Sequence, residues 1–127
     1  MAFDYRALAG TRLVHLMGAG PVMMHERVAC VDRMLSDPEL AGDADLLIDV
    51  RSVDNAPSAS EIPAIASLIR QLRLHFKGRV ALLSTLAGHV TASHLVAFAA
   101  DDPRHVAAFT SEDSAYGWLG EAMPRPD

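Results

Sequence analysis

An apolar run, a polar loop and a long amphipathic segment follow one another between residues 45 and 76, and this order constrains the fold most. The apolar run covers 46–48 and ends at Asp49, and the loop after it carries hydroxyl side chains up to Ser60. Apolar residues then recur three and four positions apart, the pattern of a helix that lies on a sheet. They are Ile62, Ile65, Ile69, Leu72 and Phe76. The pattern predicts a strand–loop–helix unit whose loop lies at the positive end of a helix, where anions bind.

Short apolar runs and amphipathic segments alternate along the rest of the chain. Two runs joined by a turn near Gly10 predict an antiparallel hairpin. The predicted strands cover 4–8, 12–17, 46–50, 80–83 and 106–109, and the predicted helices cover 21–35, 60–76, 91–100 and a terminal segment capped by Ser111. This order predicts an α/β fold with a mixed, mostly parallel five-stranded sheet, an edge hairpin and four covering helices. We expect one domain over residues 1–122 and a frayed tail at 123–127.

Gly18 and Gly20 precede the first predicted helix and are expected to break the second strand. On that helix four apolar residues are expected to share the core face. They are Met24, Val28, Val31 and Leu35. The two glycines also match half of a dinucleotide-binding fingerprint, but Met23 occupies the position of its third glycine. We therefore predict no nucleotide or other cofactor.

The composition of the 127-residue chain excludes several classes of protein. A net charge of −5 and a pI near 5.6 leave no basic face for counterion release, so nucleic-acid binding is not expected. Cys30 is the only cysteine, which excludes an internal disulfide and a multi-cysteine zinc site. Polar residues interrupt the uncharged stretch 80–100, and the N-terminal residues lack the apolar core of a signal peptide. We expect a cytoplasmic protein that does not span a membrane.

Polar side chains cluster after two predicted parallel strands, where open α/β sheets bind ligands. The candidate binding residues are Arg51, Asp54, Asn55, Ser58 and Ser60 from one loop and Ser84, Thr85 and His89 from the next. A local ion-pair network of Arg51 with Asp54 or Glu61 is the alternative interpretation. Pro63 fits the third helical position if Ser60 is the N-cap, because no intrahelical donor is needed there. This register leaves the Ser58 hydroxyl uncommitted at the helix start.

No pattern in the sequence predicts catalysis or metal binding. The six histidines lack metal-ligand spacing, since His89 and His94 are five residues apart and fall on different helix faces. No G-x-S-x-G elbow occurs. A Ser58 or Ser84 nucleophile with His89 as its base rests on proximity in the sequence alone. We predict a protein that is not an enzyme and holds no metal.

Three segments together resemble the SpoIIAA-like branch of the STAS superfamily. They are LLIDVRSVDNAPSASEI, the strand GRVALLS and the closing AAFTSEDSAYGWL. STAS proteins have an Asp-Ser-Ser-Gly motif after the corresponding strand, and counting from Asp49 aligns it with Pro57-Ser58-Ala59-Ser60. In anti-sigma-factor antagonists the first serine of this motif is phosphorylated. The resemblance therefore implies a STAS/SpoIIAA-like fold with Ser58 at the phosphoacceptor position, where Arg51 is the cation expected to steady a phosphate.

Two functions agree with these observations. The resemblance implies a non-catalytic regulatory or protein-interaction module that presents the loop before the second helix to an unidentified protein partner. The branch is also similar to Sec14-type lipid carriers, so the alternative is a carrier or sensor for a small amphipathic ligand or lipid held beyond the strand ends. An apolar pocket of roughly 300 Å³ or more near Ser58, Ser84 and His89 favours the carrier, and a flat surface favours the module.

Overall fold

Five strands form one sheet in the computed structural model, which describes residues 2–8, 11–99 and 104–120. The strands are β1 (Phe3–Ala7), β2 (Leu13–Gly20), β3 (Asp45–Val53), β4 (Val80–Leu83) and β5 (Val106–Phe109), and they lie side by side in chain order. β1 pairs with β2 in the antiparallel sense, and every other neighbouring pair is parallel. The predicted mixed sheet with an edge hairpin is confirmed. The predicted turn at Gly10 and the tail at 123–127 lie outside the described residues.

Four helices cover the sheet, as the sequence predicts: α1 (Met24–Ser36), α2 (Ile62–His75), α3 (His89–Ala99) and α4 (Glu112–Gly120). Because the strands advance across the sheet in chain order, right-handed crossovers place α1, α2 and α3 on the same face. Cys30, Ile65 and Ala92 from these three helices accordingly belong to one apolar cluster. Ala115 and Leu119 of α4 belong to a second cluster, on the opposite face. The two faces of the sheet are therefore covered unequally.

Strand β3 is the centre of the sheet and is buried on both faces. Successive side chains of a strand point to opposite faces. Leu46 and Ile48 pack in the larger cluster with α1, α2 and α3, whereas Leu47 packs in the smaller cluster with α4. All three are nearly inaccessible to solvent. This explains why the segment is continuously apolar instead of alternating.

Strand β2 extends through Gly18 and Gly20, where the sequence predicts a break. The glycines permit a close approach: a Cβ atom on Gly18 would lie 2.6 Å from the Phe3 ring and 2.8 Å from Cγ2 of Val53. Gly20 has φ +70°, which side chains rarely tolerate. Gly20 pairs with Val53 at the end of β3, which therefore also continues past its predicted end. Glycine lets β2 continue here because it has no side chain to collide with Phe3 or Val53.

Candidate functional site

A cavity of about 340 Å³ lies between the sheet and the helices α1, α2 and α3. Its walls come from both layers and consist mainly of apolar side chains, including Leu16, Ile48, Val31, Ile65, Ile69 and Leu95. At one end it is bordered by the β3–α2 and β4–α3 loops, which follow the carboxyl ends of their strands. This is where ligands bind in open α/β sheets.

Five of the predicted site residues border this cavity and three do not. Those that border it are Arg51, Asp54, Asn55, Ser84 and Thr85. Ser58, Ser60 and His89 are not among its lining residues. The prediction that the two loops converge follows from the parallel pairing of β3 with β4. The extent of the apolar space beneath them is not apparent from the sequence.

Asn55 fastens the β3–α2 loop to the segment before α1. Its Oδ1 accepts a hydrogen bond from the Val22 N–H at 2.8 Å, and its Nδ2 donates to the Val22 carbonyl at 2.9 Å. Nearby, the Asp54 N–H donates to the Gly20 carbonyl at 2.9 Å. These bonds satisfy the Asn55 amide within the protein, so its part at the site is to hold two loops together.

Arg51 pairs with two carboxylates other than the predicted ones. Its Nε and Nη2 donate to the two oxygens of Asp49 at 3.0 and 2.8 Å, and Nη2 also lies 3.6 Å from Glu112 Oε1. The prediction of an ion pair with Asp54 or Glu61 is wrong, because strand alternation places Arg51 on the same side as Asp49, and Glu112 comes from the helix covering that face. The Arg51 guanidinium is thus already paired with Asp49 and Glu112, and a phosphate on Ser58 would have to compete with these carboxylates for it.

The Asp49–Arg51 pair shifts the pKa values of both groups. Burial by itself would raise the pKa of Asp49, but hydrogen bonds from the Arg51 side chain and backbone outweigh it, and the pKa lies below its ordinary value. The hydrogen bond to Asp49 in turn raises the pKa of Arg51. Both groups therefore stay charged at neutral pH, and the pair ties the end of β3 to α4.

The loop before α2 departs from the predicted capping. Helix α2 begins at Ile62 with Glu61 as its N-cap residue, so the prediction that Ser60 is the N-cap is wrong. The prediction that the Ser58 hydroxyl is uncommitted is also wrong. It donates a hydrogen bond to Glu61 Oε1 at 3.0 Å and lies 3.1 Å from the Ser60 hydroxyl. The turn that precedes the helix brings these groups together, since the Glu61 N–H donates to the Ser58 carbonyl at 3.0 Å. Pro63 falls in the first turn of the helix, where its missing N–H costs nothing.

Glu61 accepts two hydrogen bonds from Ser58, one from its N–H at 2.9 Å and one from its hydroxyl. Both hydrogen bonds lower the pKa of Glu61, and the one from the N–H has the larger effect. This is the glutamate half of a capping box, formed one turn ahead of the helix. Ser58 itself is exposed to solvent. The hydroxyl predicted as phosphoacceptor is thus both accessible and paired with a carboxylate.

The β4–α3 loop supplies the other predicted polar groups. Ser84 is buried, and its hydroxyl donates to the Thr85 carbonyl at 3.1 Å. The Thr85 hydroxyl accepts from the Gly88 N–H at 3.1 Å. The Nδ1 atom of His89 is buried without a hydrogen-bond partner in the described part of the chain. These bonds shape the loop, and neither of them involves His89.

Arg27 borders the cavity, although it is not among the site residues predicted from the sequence. Its side chain is only 8% exposed, and its guanidinium carbon lies 5.7 Å from the centre of the Phe3 ring. The predicted core face of α1 is wrong at Val28, which is exposed. The buried residues of α1 are instead Arg27, Cys30, Val31 and Met34. Their spacing of three and four is visible in the sequence, but an arginine breaks the apolar pattern that identifies a core face.

A solved structure of an uncharacterized protein of the DUF3478 family with a SpoIIAA-like fold, from Shewanella loihica, resembles this architecture with a TM-score of 0.56. The match covers 93% of this chain and 92% of that one. The chain has a SpoIIAA-like fold. The fold implied by the STAS resemblance is therefore confirmed, and at 17% sequence identity the likeness extends to the fold alone. No protein-family model matches the chain, and no curated protein is similar to it.

Within residues 2–8, 11–99 and 104–120, no helix combines the length and the apolar character that crossing a bilayer requires.

Proposed function

We propose that this protein binds a small, mainly apolar ligand in the cavity between the sheet and helices α1, α2 and α3. The observation that carries the proposal is the cavity itself, whose volume of about 340 Å³ exceeds the roughly 300 Å³ at which small-molecule sites begin. Apolar walls with a few polar groups at one end are typical of such sites. A flat surface around the same loops would have favoured a purely protein-binding module.

The loops at the polar end of the cavity support a preformed site. Asn55 holds the β3–α2 loop, which borders this end of the cavity, to Val22 in the segment before α1 through two hydrogen bonds. A site whose walls are already in place loses less conformational entropy when the ligand binds. The protein is thus proposed as a carrier or sensor that holds its ligand without changing it chemically.

Filling the cavity tests this proposal. Ala92 lines the cavity from α3 and is 3% exposed, so Ala92→Phe should place a ring in the space that the ligand needs. We expect the affinity for a neutral probe, phenylnaphthylamine measured by fluorescence, to fall on the order of tenfold or more, since each methylene-sized group kept from burial costs about 0.8 kcal/mol.

The matched control is Ala97→Phe on the same helix, because Ala97 is exposed and lies outside the cavity lining. It should bind the probe like the unmodified protein. Thermal unfolding of both variants verifies that they are folded. A wild-type protein that does not take up the probe, or an Ala92→Phe variant that binds it equally well, would contradict the proposal.

A second candidate function, favoured by the exposure of Ser58, is a cytoplasmic regulatory module that offers the loop before α2 to a protein partner. Phosphorylation would add nearly two negative charges at a hydroxyl that now lies 3.0 Å from the Glu61 carboxylate. Esterification would remove the hydroxyl proton that Ser58 donates to Glu61, and repulsion between the phosphate and the carboxylate would change the shape of the turn. The partner would then distinguish the two forms by the loop.

This second candidate predicts a phosphate on Ser58 in protein purified from its native cells with phosphatase inhibitors. Peptide mass spectrometry should find it in the wild type and in Ser60→Ala, and should not find it in Ser58→Ala. Ser60 is the matched control because its hydroxyl is exposed in the same turn. Protein without any phosphate in this loop would rule out the switch.

A further inference from the structure

Arg27 brings a positive charge to the mainly apolar wall of the cavity, apart from the polar loops that border one end. Its side chain is more than nine-tenths buried, and its Nε atom has no hydrogen-bond partner among the described residues. The Phe3 ring, 5.7 Å from the guanidinium carbon, lies on the same cavity wall. Ion pairs among the described residues include Arg12 with Asp43 and Arg51 with Asp49 and Glu112. Arg27 does not take part in these pairs.

A bound anion would stabilise a guanidinium in this position. Burial lowers the pKa of Arg27, and the charge of Glu61 opposes that effect. Arginine nevertheless stays protonated in proteins, so a full charge remains in the wall. The Glu61 carboxylate already accepts both hydrogen bonds that Ser58 offers. Burying a charge is costly unless it is paired and hydrogen-bonded, and the cavity is the space in which a partner can approach.

We propose that the ligand is an amphipathic anion, with an apolar tail in the cavity and a carboxylate or phosphate headgroup paired with Arg27. This inference rests on the proposed ligand-binding function and adds the chemical class of the ligand. A guanidinium suits either headgroup, because its fork of N–H donors binds two oxygens at once. A cavity of about 340 Å³ has room for on the order of ten water-sized groups at about 30 Å³ each. The tail is accordingly of medium length, comparable to that of decanoate.

Isothermal titration calorimetry with three probes that share one tail tests the headgroup. Decanoate and decyl phosphate carry the two anionic headgroups, and decanol has none. The wild-type protein should bind at least one of the anions more tightly than decanol, and whichever anion binds more tightly identifies the headgroup. In Arg27→Met, affinity for that anion should fall on the order of tenfold to a hundredfold, the value of a charge-assisted hydrogen bond, while decanol affinity should be nearly unchanged.

Arg33→Met is the matched control on the same helix. Arg33 also lies over an aromatic ring, with its guanidinium carbon 5.3 Å from the centre of Tyr5, but it is exposed and does not line the cavity. This variant should bind all three probes like the wild type. Arg27→Lys keeps the charge and should keep the preference for the anion over decanol, so it tests the inference if Arg27→Met does not fold.

The outcomes separate the inference from the function on which it rests. If none of the three probes binds to the folded wild-type protein, the proposed function and the inference both fail. If decanol binds as tightly as the anions and Arg27→Met changes nothing, ligand binding stands and the anionic headgroup is overturned. If Arg27→Met weakens decanol and the anions equally, Arg27 shapes the cavity wall without pairing, which also overturns the inference.

Discussion

Replacing Phe76 with alanine is expected to lower the free energy of unfolding by about 3–5 kcal/mol. Phe76 directly follows α2, is fully buried and packs in the larger apolar cluster. Removing its ring takes away the transfer free energy of a large side chain and leaves an empty space in the larger apolar cluster. Chemical denaturation monitored by circular dichroism measures the loss directly.

Phe98→Ala provides the control for this prediction because the same atoms are removed from a ring that is 58% exposed. Its cost should stay below about 1 kcal/mol, since little apolar surface is uncovered. Equal losses in the two variants would contradict the assignment of Phe76 to the core and would show that the end of α2 is not packed on the sheet as described.

Replacing Arg51 with methionine is expected to cost about 1–3 kcal/mol at neutral pH. Asp49 would keep its charge with its side chain only 8% exposed and without the Arg51 guanidinium. Breaking a fully buried pair costs about 3–5 kcal/mol, and the smaller figure reflects solvent screening, because the Arg51 side chain is 37% exposed. The exposed pair Arg12–Asp43 is the control: Arg12→Met should change stability by less than about 1 kcal/mol.

The loss of stability caused by Arg51→Met should become smaller as the pH falls. The pKa of Asp49 is lower in the folded protein than in the unfolded chain, so its contribution to stability is present above the unfolded value of about 3.9. That contribution is lost as the pH falls through the folded pKa. Unfolding curves of wild type and Arg51→Met should therefore converge on acidification, and Asp49→Asn combined with Arg51→Met should recover part of the loss. A constant difference at every pH would contradict the pairing.

The sequence was sufficient to predict the parts of the fold that depend on local patterns. Strands β4 and β5 begin and end where predicted, because buried apolar runs are bounded there by turn residues. The close approach of Phe3 and Val53 to Gly18 joins residues far apart in the chain, and this contact lets β2 continue where glycine alone predicts a break. Such endings depend on tertiary packing and are not encoded by local propensity.

The candidate site was predictable in its position and less so in its chemistry. Parallel pairing of β3 with β4 brings Asp54 and Ser84 to one edge, and this follows from the predicted topology. The contact of Arg51 with Glu112 was not predictable, because Glu112 belongs to a helix that covers the opposite face of the sheet. Arg27 was missed because a charged residue at a buried helical position counts against a core face in any apolar pattern.

The consecutive strand order has a consequence for how the protein is made. Each strand pairs with the strand that follows it in the chain, so a nascent polypeptide emerging from the ribosome can extend the sheet by one unit after another. Helix α4 is the last described element to emerge, yet it is the element that covers Leu47 and reaches Arg51. Until it docks, one apolar face of a nearly complete sheet remains open to other nascent chains. Aggregation during synthesis should therefore be most sensitive to changes in the last helix.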